Sequence, residues 1–288
     1  MNKYYELAKP GIIYGNSITA IAGFFLATKG DINWLLLVAM LIGLGFVMGG
    51  ACVYNNCLDR DIDQKMSRTQ TRATVTREIS ERNAWIYGSV LLLAGAAILF
   101  FFTNILTLCI AFIGTIIYVG IYTPLKRRTV YSTLIGALAG ATPPVVGYCA
   151  VTGVFNVEAL LLFLILFFWQ MPHFYAIAIY RQSEYEAAGI PLLPIKKGIA
   201  QTKVHMLVYV ILFTLVALSL AFFFLGFVRY IYLAVMLIVS VMWLYFSISG
   251  FFRKTDSTQW ARKMFLFSLI VITTWSLLLV ILYFVSLM

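Results

Sequence analysis

Nine apolar stretches, each long enough to cross a hydrocarbon layer, leave this chain almost no freedom of fold. A bilayer core takes about 20 residues of helix, and windows of that order fall near 11–28, 34–54, 84–102, 105–122, 132–151, 159–180, 205–225, 230–250 and 264–285. In hydrocarbon every backbone N–H and C=O must be paired inside the protein, so only helices or a closed barrel can span. Barrel strands are short and alternate apolar with polar residues, and these runs do neither. The composition agrees: 62% of residues are hydrophobic and 11% charged, less than half the charged share of a soluble domain, about 25%. The expected fold class is an all-α integral membrane protein, a bundle of nine transmembrane helices, with residues 1–288 as one membrane-embedded domain.

A net charge of +10 could mean a nucleic-acid partner, but its distribution excludes one. Nineteen of the 21 Lys and Arg residues lie before helix 1 or after helices 2, 4, 6 and 8, Arg253 and Lys254 among the last; Lys29 and Arg229 are the other two. By the positive-inside rule, the N-terminus and the long polar loops are cytoplasmic and the C-terminus is outside. Cys52, Cys57, Cys109 and Cys149 lie in or beside helices without C-x-x-C spacing, which suggests neither a disulfide framework nor a zinc site. No A-x-A cleavage signature precedes Lys29, so the first apolar run reads as a retained helix.

Chemistry must come from the few polar clusters. Asn55, Asp59 and Asp63 recur every fourth residue; if helix 2 continues past Tyr54, they share one face over about 12 Å. Oxygen-bearing side chains so spaced, with Arg68 and Arg72 just beyond, suit a hard divalent cation such as Mg²⁺ together with a phosphate-bearing substrate. The bland alternative is a solvated loop of alternating charge. Helix 4 ends in Tyr118, Tyr122, Thr123, Pro124 and then Lys126-Arg127-Arg128. That cluster reads either as topology and anionic-lipid contact or, facing the acidic stripe, as a diphosphate clamp. Thr142-Pro143-Pro144 should break helix 5. In helix 6, His173 lies about two turns inside the membrane, near Trp169 and Tyr175. An intramembrane ionisable group is a functional candidate; a neutral histidine bonded to a neighbouring helix is the other reading. His205 stands at the start of helix 7. Helices 2 and 6 each lead into a long acidic loop, which suggests a duplication of helices 1–4 (about 10–128) in helices 5–8 (about 129–253), with helix 9 (about 264–285) closing the bundle.

Asn55-x3-Asp59-x3-Asp63 followed by Met66-x-Arg68-Thr69-x2-Arg72, with Trp169-Gln170-Met171-Pro172-His173-Phe174 and Ala187-Ala188-Gly189-Ile190-Pro191-Leu192-Leu193-Pro194, resembles the protoheme IX farnesyltransferases (haem O synthases), a family within the UbiA superfamily of intramembrane prenyltransferases. The likeness runs from Lys9-Pro10 to Trp260-Ala261-Arg262-Lys263. It implies nine helices around a central cavity and transfer of farnesyl from farnesyl diphosphate to haem B, giving haem O and diphosphate. It implies Mg²⁺ as cofactor, held by Asn55, Asp59 and Asp63. Arg68, Arg72, Lys126 and Arg127 would then hold the diphosphate, and Tyr118, Tyr122 and Tyr175 would steady an allylic cation. His173, His205, Trp169 and Tyr175 would face haem. The superfamily's second motif, usually D-x-x-x-D, falls on Tyr180-x3-Glu184, which leaves Glu184 as the one candidate for a further metal. The implied setting is the bacterial inner membrane, with haem O passed to a terminal oxidase or a haem A synthase. Two other readings compete: a UbiA-type enzyme with another aromatic or quinone-precursor acceptor, and a membrane transporter.

Overall fold

A computed structural model describes residues 3–252 and 256–287; Arg253, with which the second half of the suggested duplication was to end, and Lys254 lie outside them. Among the described residues there are nine helices long and apolar enough to cross a membrane: α1 Pro10–Ala27, α2 Trp34–Leu58, α3 Glu81–Phe102, α4 Ile105–Leu125, α5 Ser132–Thr152, α6 Val157–Tyr180, α7 Ile199–Phe223, α8 Gly226–Ser249 and α9 Ser257–Ser286. The chain is a helical membrane protein. Several helices begin earlier than the hydrophobic windows: α3 at Glu81 instead of 84, α7 at Ile199 instead of 205, α9 at Ser257 instead of 264. Polar first turns are too hydrophilic to register as membrane-spanning; those of α3 and α9 are helical because a side chain caps them, while α7 follows Gly198 with no side-chain cap. Ser80 accepts from the Asn83 N–H, and Asp256 from those of Thr258 and Gln259. Asn33, Asn104 and Asn156 start α2, α4 and α6 in the same way.

With no apolar driving force between helices in lipid, close packing has to come from small residues. The α2–α3 hairpin is built this way: Cβ atoms added at Gly50 and Gly95 would fall 2.7 Å from the carbonyl oxygens of Gly88 and Gly43. At the α1–α5 crossing the backbones come closer still, with Gly23 against the Pro144 carbonyl and Gly147 against that of Ala20. Helix α9 packs on α1 as well as on α6 and α8, closing the bundle.

Helices α5 and α4 are irregular within their spans. Helix α5 consists of Ser132–Gly140 and Thr142–Thr152 joined at Ala141, because Pro143 and Pro144 have no N–H to continue the ladder. Helix α4 turns π-helical over Ile116–Tyr122. There the Thr123 N–H and its Oγ1 both donate to the Tyr118 carbonyl, Oγ1 at 2.8 Å. Pro124 follows and offers no N–H that could restore α-helical pairing.

Candidate active site

Helix α2 continues one turn past Tyr54. It stops at Leu58, Asp59 takes φ −95° and ψ 2°, and a short helix Arg60–Asp63 follows. The stripe nevertheless keeps its register, because Asp59 N–H donates to the Asn55 carbonyl (2.9 Å) and Asp63 N–H to that of Asp59 (2.8 Å). All three side chains are buried, at 3%, 2% and 2% exposure for Asn55, Asp59 and Asp63.

Asn55 is the hub. Its Nδ2 donates to Asp59 Oδ2 (2.7 Å) and to Thr123 Oγ1 (2.9 Å), while its Oδ1 accepts from Lys9 Nζ (2.7 Å). Lys126 forms an ion pair with Asp59 Oδ2. Arg72 Nη1 donates to Asp63 Oδ2 (2.5 Å) and to Asn56 Oδ1 (3.0 Å). Arg127 grips Asp61 with both terminal nitrogens (2.6 and 2.7 Å), which holds that carboxyl below the usual range, and lies 3.8 Å from Asp59 Oδ1. Desolvation lowers the Lys9 ammonium to about 8.

Lys9, Arg72, Lys126 and Arg127 outnumber Asp59, Asp61 and Asp63 by one, so the cluster is already poised for an anion. One buried oxygen is left over: Asp59 Oδ1 has no hydrogen-bond donor. An unpaired buried carboxylate oxygen, with a second buried carboxylate one helical turn on and the Asn55 oxygen held by Lys9, is oxygen-donor chemistry of the kind a hard divalent ion takes, so these residues fit a metal–diphosphate pair.

Lys9 and Asn56 belong to this network, although sequence reasoning assigned them no role there; Thr123 enters it through Asn55. For Lys9 a signal existed, a basic residue directly before the proline that opens α1. It adopts φ 55°, ψ 63°, a conformation costly for any residue with a side chain, and the kind of strain that clusters at functional sites.

The 181–198 loop folds over the same end of the bundle. Ile62 and Met66 pack against Ala178, Ala188, Ile190 and Leu192. Tyr185 sits within reach of Arg68 and Arg181; burial raises its hydroxyl, and the two cations oppose that shift. Glu184 is paired with Arg181 at 3.2 Å instead of joining Asp59 and Asp63. Among the described residues no three His, Cys, Asp or Glu side chains converge on one point. Arg68 is exposed, next to Tyr185. The π-helical turn stacks Tyr118 on Tyr122 (centroids 5.6 Å apart, 12° between planes), with Lys126 5.8 Å from the Tyr122 ring.

The four residues expected to face haem divide between two faces of α6. Trp169 and His173, one turn apart, stack on each other and turn towards Phe265 and Ser268 of α9. Tyr175 turns to α7, where His205 and Tyr209 lie 6.3 and 6.4 Å away, ring to ring. They do not form a single wall, and Tyr175 lies apart from the Tyr118–Tyr122 stack.

Comparison with known proteins agrees with this architecture. The sequence matches the UbiA prenyltransferase family over residues 16–269. It is 49% identical over 278 residues to protoheme IX farnesyltransferase 2 of Chromobacterium violaceum, covering 96% of this chain and 91% of that one. To the protoheme IX farnesyltransferase of Yersinia pseudotuberculosis it is 48% identical over 279 residues, covering 96% and 94%. Among solved structures, a digeranylgeranylglyceryl phosphate synthase superposes with a TM-score of 0.80 at 20% identity, covering 98% of this chain and 97% of its own. A UbiA homologue from Archaeoglobus fulgidus bound to DMAPP and Mg²⁺ gives 0.71 at 15%, covering 97% and 99%. The chain belongs to the UbiA prenyltransferase family.

Proposed function

We propose that this protein transfers a farnesyl group from farnesyl diphosphate to a vinyl group of haem B, giving haem O and diphosphate. The observation that carries the reading is the buried Asn55–Asp59–Asp63 stripe, ringed by four cations and holding an unpaired carboxylate oxygen, in a chain nearly half identical to protoheme IX farnesyltransferases. Asn55, Asp59 and Asp63 would hold Mg²⁺, which when bound draws charge from the diphosphate leaving group.

Every other step falls to the chain's own side chains. Lys126 and Arg72, now paired with Asp59 and Asp63, would transfer to phosphate oxygens when the substrate arrives, with Lys9 and Arg127 in the same network and Arg68 further out, next to Tyr185. They stabilise the diphosphate as the C1–O bond breaks and its electron pair leaves with oxygen. The stacked Tyr118–Tyr122 faces offer π density to the allylic cation. The vinyl carbon then bonds to C1, and water captures the resulting cation with loss of a proton. Charge asymmetry supports a reading in which the N-terminus and the site face the cytoplasm and the C-terminus lies outside; the membrane would be the bacterial inner membrane. A terminal oxidase or haem A synthase would take up the product.

Purified protein in lipid nanodiscs, given haem B, farnesyl diphosphate and Mg²⁺, is expected to yield haem O by mass spectrometry, to stop with EDTA, and to resume on adding Mg²⁺. Prenylation of some other acceptor with haem B left unchanged would refute the assignment. Lys126→Ala removes a charged partner worth about 1.5–3 kcal/mol. It should therefore raise KM for farnesyl diphosphate or lower kcat by about 10–100-fold with haem affinity unchanged. The effect of Arg68→Ala, at an exposed position, should be smaller and in the same direction. Selective loss of haem binding in either variant would mean that the two substrates occupy the opposite walls.

A further inference from the structure

Two adjacent amides on α2 lace the N-terminal segment to the bundle. Asn55 accepts from Lys9 Nζ (2.7 Å), and Asn56 Nδ2 donates to the Leu7 carbonyl (2.9 Å). Ahead of Lys9 the chain forms a helix, Lys3–Leu7, and the left-handed Lys9 backbone turns the chain from it into α1. Five residues are too few to hold a helix in water, so docking is what sustains it. Leu7 is buried against Val53, Cys57, Ile79 and Ala84. Tyr4 packs edge-on against Tyr87 of α3 (5.1 Å, 75°), and Lys3 pairs with Glu78.

Asn56 is 1% exposed, and both ends of its amide are engaged. A backbone carbonyl only accepts and a guanidinium only donates, which fixes the orientation of the amide. Nδ2 therefore faces Leu7, and Oδ1 accepts from Arg72 Nη1 at 3.0 Å. Nη1 carries two hydrogens, and its other bond goes to Asp63 Oδ2 (2.5 Å). Arg72 can give up Asp63 for a phosphate oxygen and still be held by Asn56. An asparagine serving only to join the N-terminal helix to α2 would have no need to commit its oxygen to a cation of the buried stripe.

We propose that Asn56 is a positioning residue of the diphosphate site. Backed by the docked N-terminal helix, it aims Arg72, and the segment Lys3–Lys9 is in turn held more firmly by the anion that Lys9 and Arg72 bind. This rests on the reading of the Asn55–Asp59–Asp63 stripe as a metal–diphosphate site and is independent of the acceptor. Coupling between two sites is reciprocal, so an anion that gains from a docked helix must also keep the helix docked.

The test uses full-length protein in nanodiscs with Mg²⁺, and inorganic diphosphate as the probe. In calorimetric titration Asn56→Ala should bind diphosphate about 10-fold more weakly than wild type, the lower end of the loss for a hydrogen bond to a charged group. Arg72→Ala should lose at least as much, and the double variant no more than Arg72→Ala alone, since a residue acting through Arg72 then has nothing to act on. Hydrogen exchange gives the readout that a purely structural role would not move. Diphosphate should slow the backbone amides of residues 3–9 in wild type by about the same factor, and not in Asn56→Ala. Leu7→Ala, at a side chain outside the charged network, should undock the helix and weaken diphosphate in the same direction; it carries the comparison if Asn56→Ala does not fold. Wild-type affinity in the variant that is compared, losses that add in the double variant, or no slowing over residues 3–9 would overturn the inference. If wild type itself binds no diphosphate, the metal–diphosphate reading falls and the inference with it. If the coupling is present but no haem O forms, the inference stands and the acceptor reading falls.

Discussion

Asp59→Asn should reduce haem O formation by about 10²–10³-fold, the loss seen when one electrostatic stabiliser of a transition state is removed, in a protein that still folds. The substitution keeps volume and leaves one side-chain oxygen for Asn55 and Lys126, which both bond the same oxygen of Asp59, so the buried network is not emptied. What it removes is the charge. Among the described residues of the cluster, Asp59 carries the one fully buried carboxylate oxygen without a hydrogen-bond donor, and a neutral amide oxygen holds a divalent ion less strongly than a carboxylate does. Lys126, with only 13% of its side chain exposed, would also lose the anion that holds it ready. Turnover should collapse while the thermal unfolding midpoint in detergent moves by no more than a few degrees. Near wild-type haem O from a well-expressed Asp59→Asn protein would dispose of the proposed metal–diphosphate site.

A second large effect lies far from any charge. Gly147→Val should prevent stable assembly, because the new Cβ would occupy the place of the Ala20 carbonyl oxygen and Gly23 makes the reciprocal contact with Pro144. Both obstacles are backbone, so neither helix can yield by changing a rotamer. Forcing extra atoms into a packed core costs about 1–3 kcal/mol, and more where relaxation is blocked. Helix α1 would be pushed outward, carrying Lys9 away from Asn55. Lower extraction yield, a fall in melting temperature and, in any surviving protein, a raised KM for farnesyl diphosphate are expected. Gly15→Ala, at a position with nothing within 4 Å of the added atom, is the matched control. If Gly147→Val melts like wild type, the crossing is looser than described.

The nine spans were legible because solvent leaves a chain of this oiliness no other fold, and the proline pair in α5 announced its break. The acidic stripe was legible from its spacing of four, which survived the kink at Asp59 because the backbone bonds there still connect every fourth residue. Helix partnership was harder to read. A uniformly apolar helix has no wet face, so its sequence does not say which side meets a neighbour; nothing local to His173 points to Ser268, 95 residues away. The division of Trp169 and His173 from Tyr175 was readable in principle, since positions four apart share a helix face and positions two apart do not. Lys9 passed for an ordinary topogenic charge because its strained backbone becomes visible only in three dimensions.

A π-helical turn holds one residue more than the α-helical turn it replaces, so everything after Tyr122 is rotated by about 100° from where a regular ladder would have carried it. Lys126 therefore meets Asp59, and Thr123 meets Asn55, by virtue of a residue count within Ile116–Tyr122 and not only of their own identities. In α4 the length of the chain is itself a specificity determinant: a one-residue deletion that healed the helix would leave every active-site side chain present and swing this group of them off target.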